Sequence, residues 1–502
     1  MDKNEQVKNN LVGFVHDHAS SLSSDGIGLF GYLKRDFDKN VLFNIKDPCH
    51  GLNLAIVKSL ELLDDDNIMK FIRKIHSHFT SPQRKAFLSN IQRKENLPEL
   101  NLCHYIETRW LSLGLSLKRL LQIWPSLIMY MEEPKILSVK KKDQKAFKKT
   151  LQDKIFKLKL HFISSVIEKV NSINTAFQKQ SLGIDQLPLL MNKIIKEIAE
   201  LFIKVTKIPE NLDELKILEW KSDGNYLQSN ESFLQTISQE LGDKEFLKIK
   251  DISDDKVKTS ILTTFRGFLI NLLDNLLYYL PIEDDSIKSL SFLCLDGNKN
   301  ELKSKILNFN ETYKIVPEDQ EKFVLEEIND LLSQQITWIR RVANGSSLNF
   351  WNLIEQTYDK EDPKTKEIQH RYPYLSKIFR TAHAFAPSSS NVEQCFSVLK
   401  LLKSELRNSL KEKTLESLIL LHEQLKDNQP ILISERLIEI YDDMKKKSNE
   451  NKSISRLFSH VELEENKLEN IHMLNQQDNE EVKIDLSGKS NVMNPIILTK
   501  LI

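Results

Sequence analysis

Several side chains in this sequence could do chemistry, and each also has a purely structural reading. Asp17 ends the apolar run from Leu11 to Val15 and His16, and Ala19 and Ser20 follow it. A carboxylate there can accept the amides of the next turn. Asp47-Pro48-Cys49-His50 ends a second apolar run. Asp47 reads as a helix cap and His50 as a half-buried polar residue. Glu107-Thr108-Arg109-Trp110-Leu111-Ser112 holds an aromatic that reads as a core or helix-packing residue. Ser390-Asn391-Val392-Glu393 fits a capping box, in which Ser390 takes the third amide and Glu393 reaches back. Two wider chemistries use these residue types. Carboxylate oxygens suit hard divalent cations, and an aromatic face stacks on an unpaired base.

The elements that must position these groups follow from hydrophobic periodicity. Leu11 to Val15 and Val41 to Ile45 are short β-capable runs, and Ile27 to Leu33 reads as a short helix between them. A further helix is expected to begin at Gly51. Strand, helix, strand, helix at these spacings is an α/β fragment. From about residue 55 to 370 the pattern is helical almost throughout. Ile155, Leu158, Phe162, Val166 and Val170 form one stripe. Phe265, Leu269, Leu272, Leu273, Leu276 and Leu277 form another, and Val324, Ile328, Leu331 and Leu332 a third. Beyond the serines, Val392, Phe396, Leu399 and Leu406 share a helical face. Thr414 can cap a last apolar helix through Leu415, Leu418, Ile419 and Leu421. Ile431 to Met444 is amphipathic, and the charged tail after it is low in aromatics.

The 502 residues are enough for two or three domains. Apolar residues are 40% and charged residues 28%, as in globular proteins. Lys plus Arg equals Asp plus Glu at 71 each, so net charge supplies no pull toward nucleic acid, and any such surface must be local. The cluster Lys140-Lys141-Lys142 with Lys145, Lys148 and Lys149 reads as a solvated face or loop, with DNA-backbone contact as the alternative. Cys49, Cys103, Cys294 and Cys395 are scattered without a C-x-x-C pair, which argues against a zinc finger or a disulfide framework. No apolar run reaches membrane-spanning length, so no membrane partner is expected.

The stretch from Pro387 to Leu421 resembles the C-terminal dimerisation region of hAT-superfamily transposases. That region carries a serine-rich turn, a Glu usually followed by Arg, then Phe-Ser, then an Arg-Asn or Arg-Thr pair before a Leu. Here the positions read Ser388-Ser389-Ser390, Glu393-Gln394, Phe396-Ser397, Arg407-Asn408 and Leu410. Gln394 departs from the usual Arg. Trp351 and Tyr372-Pro373-Tyr374-Leu375 resemble the run-up to the same region. The resemblance implies self-association, as a homodimer or higher oligomer, through Phe396, Leu399, Leu406, Leu415 and Leu418.

It further implies an RNase-H-like fold in which two Asp and one Glu hold two Mg²⁺ or Mn²⁺ ions for phosphodiester cleavage and joining. By resemblance Asp17 is the second metal carboxylate, with His18 where Gly is usual, and Glu393 is the third. Asp47 and His50 match a motif that lies beside the active site and contacts DNA near a flipped base. Arg109 and Trp110 match an Arg-Trp-x-Ser element whose Trp stacks on that base, offsetting the cost of extrusion. The family's first catalytic Asp has no counterpart in the polar segment before Asp17, nor have further strands of its sheet or its BED-type zinc finger.

The expected fold class is mainly α, with a partial RNase-H-like α/β fold interrupted by a large all-helical insertion. The expected divisions are 1–54 for the α/β part, 55–370 for the insertion, 371–428 for the returning helices and dimerisation region, and 429–502 for a helix and tail. The expected function is a nuclear, transposase-derived DNA-binding and dimerising protein that is catalytically incomplete. A fragment of an active hAT transposase and a helical scaffold with no nucleic-acid role are the alternatives.

Overall fold

The computed structural model describes residues 13–24, 27–36, 43–61, 68–103, 112–133, 141–179, 182–216, 224–282, 284–294, 299–333, 347–356, 370–385, 387–389 and scattered positions from 392 to 419. The chain divides into two compact units, residues 1–391 and 392–502.

The first unit opens with β1 (Gly13–His16) and β2 (Phe43–Lys46). They pair in parallel, with Gly13 opposite Phe43 and His16 opposite Lys46. Parallel neighbours need a crossover, and it contains α1 (Ser20–Ser23) and α2 (Leu29–Asp36). Directly after β2 comes α3 (Pro48–Glu61), three residues before the expected start at Gly51. The earlier start has a local cause. Pro48 is pre-set for the first helical position, and Asp47 Oδ1 accepts the Cys49 amide at 2.9 Å.

The rest of the unit is helical, as the periodicity predicts. In order come α4 (Ile68–His78), α5 (Pro82–Lys94), α6 (Ser112–Gln122), α7 (Trp124–Glu132), α8 (Lys141–Gln152) and α9 (Lys154–Phe177). Then follow α10 (Leu187–Glu200), α11 (Asn230–Glu240), α12 (Asp255–Tyr279) and α13 (Asp285–Ser289). The last are α14 (Lys299–Tyr313), α15 (Glu321–Ser333), α16 (Ser347–Glu355) and α17 (Pro373–His383). The lysine cluster from 141 onward is helical, with Lys145 and Lys149 exposed and Lys148 paired to Glu132 at 3.7 Å.

The two longest helices hold the unit together. Asp153 caps α9 by accepting the amides of Ile155 and Phe156, and Asp254 caps α12 through Lys256 and Val257. Each cap satisfies amides that the first turn cannot pair internally. The stripe on α12 from Phe265 to Leu277 is buried. On α9, Leu158, Phe162, Val166 and Val170 are buried, but Ile155, in the first turn, is 37% exposed and leaves the expected stripe. Phe162 and Phe265 stack with ring centroids 4.0 Å apart. The far end of α12 packs on α3, so the helix leaving the small sheet is part of the helical core.

Near the end of the unit, α17 is seated by carboxylates of α15. Glu327 accepts the amides of Tyr374 and Leu375 at 3.3 and 2.8 Å, where Pro373 begins the helix. Arg371 donates twice to Asp330, at 2.9 and 3.2 Å, and the Tyr372 hydroxyl donates to the same carboxylate at 2.8 Å. Among the described residues no helix is long and apolar enough to cross a membrane.

In the second unit, Val392, Cys395, Phe396, Val398, Leu399 and Leu402 are helical, as are Thr414, Leu415, Leu418 and Ile419. Thr414 is already inside its helix rather than capping it. Ser390, Leu406 and Leu421 lie outside the described residues.

His78 gives the fold a pH signature. Its Nε2 meets the Tyr130 hydroxyl at 2.9 Å, and Arg84 approaches its Nδ1 at 3.4 Å. Burial, then the Arg84 charge, hold its pKa down at about 4. Because the folded value is depressed, the unfolded chain binds the extra proton. The stabilisation is therefore present above about pH 6.5 and is lost as pH falls toward 4. In urea titrations from pH 7.5 to 5, His78→Gln should flatten the acid-side loss of stability relative to the parent. Parallel curves would refute this assignment.

Candidate functional site

The carboxyl ends of the two parallel strands come together with three distant parts of the first unit. This is the edge at which α/β folds place ligands. On the β1 side, the Asp17 side chain folds over its own turn, with Oδ1 accepting the Ala19 amide at 2.8 Å. His16 Nε2 meets Asn44 Oδ1 across the sheet at 2.7 Å. On the β2 side, the Asp47 amide donates to the His16 carbonyl at 2.7 Å, continuing the ladder one step past the strands.

Asp47 itself is fully buried. A buried carboxylate without donors is costly, and here both oxygens have donors. Oδ1 takes the Cys49 amide, and Oδ2 takes the hydroxyl of Ser389. Burial raises its pKa above the ordinary carboxylate value, and the Ser389 and Cys49 donors pull it partly back. Ser388, beside Ser389, is also buried, and its hydroxyl donates to the Phe177 carbonyl at the end of α9, at 3.2 Å. The serine-rich turn is thus tied to the strand edge and to α9 at once.

A histidine pair completes the site. His18 Nε2 donates to the Tyr279 carbonyl at 2.9 Å, and its ring lies 5.4 Å from that of half-buried His50. Burial pushes the His18 pKa down to about 4, against the raising effect of the Tyr279 carbonyl. His18 is therefore neutral at pH 7, and its buried Nδ1 has no partner among the described residues. The tautomer follows from the carbonyl contact, which requires a proton on Nε2. Gly51 lies against the same carbonyl. A Cβ there would stand 2.9 Å from Tyr279 O and 3.3 Å from His18 Cε1.

Of the residues singled out from sequence, Asp17, Asp47 and His50 thus lie along this one edge. Glu393, Arg109 and Trp110 are outside the described residues. Phe396 is exposed, and Leu399, Leu415 and Leu418 are half-buried. Among the described residues no three His, Cys, Asp or Glu side chains form a set able to hold a metal ion. Of the two expected metal ligands, Asp17 is among the described residues and Glu393 is not. Sequence reasoning missed Ser388, Ser389, His18 and Tyr279 as parts of one site. Serine hydroxyls and a backbone carbonyl leave no periodic trace, and their partners are hundreds of residues away.

Residues 364–425 match the family model of the hAT family C-terminal dimerisation region. The match spans α17, the serine turn and the helical positions of the second unit up to Ile419. No curated protein matches the chain.

The close approach at Gly51 is directly testable. Gly51→Ala should destabilise the protein by about 1–3 kcal/mol, because α3 would have to move off α12. Gly267→Ala, in the interior of α12 with nothing within 4 Å of its added methyl, should stabilise by about 0.5–1 kcal/mol. Equal effects of the two substitutions in chemical denaturation would contradict the contact at Gly51.

Proposed function

We propose that this hAT transposase-like chain acts as a dimerising protein of transposase descent, with a strand-edge site that is catalytically incomplete. The observation that carries the reading is the matched dimerisation region and its apolar helical positions. An exposed Phe396, with half-buried Leu399, Leu415 and Leu418 further along the chain, supplies apolar surface of the kind that pairs helices. By resemblance to the family, Leu406 is counted with these residues in self-association. The small parallel sheet is read as a remnant of an RNase-H-like domain, with α3 to α16 as its helical insertion.

In this reading Asp17 and Glu393 are ancestral carboxylates for Mg²⁺ or Mn²⁺, and among the described residues no set of three ligating side chains is present. Asp47, the nearest alternative at the strand ends, is buried with both oxygens hydrogen-bonded. DNA contact is assigned to His50, Arg109 and Trp110, with Asp47 placing His50 through the first turn of α3. A nuclear location goes with DNA as partner.

Light scattering at micromolar concentration should show a dimer. Replacing Leu415 and Leu418 together by Asp should weaken it roughly 30-fold or more, since buried interface anchors carry most of the association energy. A monomeric parent chain would sink the dimerising role. Incubation with Mn²⁺ and duplex DNA should yield no strand cleavage. Cleavage that disappears in Glu393→Gln would replace this reading with that of an active transposase fragment.

A further inference from the structure

We propose that the helices from α4 to the start of α9 carry a surface for the phosphate backbone of duplex nucleic acid, which they hold without reading its sequence. The inference rests on the DNA partner proposed above and extends it to lysines that the strand-edge site does not use. Between residues 68 and 159 stand 20 Lys and Arg against 7 Asp and Glu, in a chain whose two totals are equal. The remainder is therefore net acidic by the same margin. From Asn67 to Lys94, through α4 and α5, there are seven bases and no acid. A soluble surface ordinarily intersperses the two signs. One sign gathered in one place destabilises the fold by self-repulsion, and a polyanion bound there offsets that repulsion.

The packing makes one body of these helices and leaves the charges outside it. The Phe71 ring of α4 lies 6.1 Å from Trp124 of α7, 6.0 Å from Phe147 of α8 and 5.2 Å from Phe156 of α9. Tyr130 of α7 meets Phe87 of α5 at 5.5 Å. On the outside, Lys70 and Lys74 are exposed one turn apart on α4, and Lys145 and Lys149 one turn apart on its neighbour α8. None of these four lysines has an ion pair among the described residues, and acids nearby are committed elsewhere: Glu99 to Arg93 at 3.5 Å and Glu132 to Lys148 at 3.7 Å. Packed helices lie about 8–10 Å apart, a step over which a duplex presents roughly five phosphate charges. Fifteen of the twenty bases are Lys. A lysine is a point charge on a flexible stem, which suits phosphates met at no fixed angle, whereas bidentate recognition uses Arg. Contacts of that kind carry no sequence information. A folded protein partner would need apolar or aromatic anchors, and among the described residues α4, α5 and α8 expose no large apolar side chain.

The test uses the full chain. A quadruple variant, Lys70→Gln, Lys74→Gln, Lys145→Gln and Lys149→Gln, is compared with a control, Lys193→Gln, Lys196→Gln, Lys256→Gln and Lys299→Gln, which removes the same charge from exposed positions elsewhere. Binding to a fluorescent duplex of about 25 base pairs and arbitrary sequence is followed by anisotropy from about 50 to 200 mM salt. Each contacted lysine contributes about 0.9 to the slope of log affinity against log salt, so the quadruple variant should lose about 2–4 from the slope and roughly 100-fold or more in affinity at about 0.1 M salt. The control should stay within about threefold of the parent, since distant charges are screened. Because like charges are removed, the urea midpoint of the quadruple variant should hold or rise. Lost binding that follows a falling midpoint overturns the surface. A quadruple variant that binds no more weakly than the control also overturns it and leaves DNA as a partner. A parent chain that binds no duplex overturns the surface and the DNA partner together. Displacement of the duplex by poly-glutamate as readily as by unlabelled duplex would give the surface to an acidic protein and overturn the phosphate assignment.

Discussion

A carboxylate buried where two strands end must be given donors, and the first unit is arranged around that requirement. Asp47 has no access to water, so its two oxygens draw in the first turn of α3 and the serine turn. One side chain thereby sets the direction of the helix leaving the sheet and the resting place of a segment from the far end of the unit. Removing the carboxylate would leave a helix without its cap and a serine hydroxyl without its acceptor. Removing only a donor would leave a charge in an apolar site, which is the costlier error.

The contact between α3 and α12 complements this arrangement. It depends on absent atoms: Gly51 offers no Cβ, so the Tyr279 carbonyl can come close and still accept from His18. The neutral state of His18 is a consequence of the same packing, because burial disfavours its charged form. Geometry, protonation and helix packing at the strand edge are thus three aspects of one close approach.

The helical body was legible in the sequence because its burial is periodic. The stripes on α9, α12 and α15 are those that a period of 3.6 residues selects, and only Ile155, at a helix end, departs from them. The two strands were legible as short β-capable runs. Apolar periodicity puts the start of α3 at Gly51, after the cap, whereas the helix begins at Pro48, directly after Asp47. The candidate site was half legible. Asp17, Asp47 and His50 stand out because acids and histidines are conspicuous at the ends of apolar runs. Ser389 stood out as part of a family pattern, but its physical role did not, since a hydrogen bond across 342 residues has no local signature.

That separation also has a consequence for synthesis. Asp47 leaves the ribosome long before Ser389 exists. At about 5–20 residues per second the interval is roughly 20–70 seconds. Throughout it Asp47 Oδ2 lacks its final donor. The Asp47–Ser389 bond is thus among the last contacts of the first unit to become possible, immediately before the residues that begin the second are made. The nascent chain can therefore complete its strand edge only when residues matched to the dimerisation region have been made.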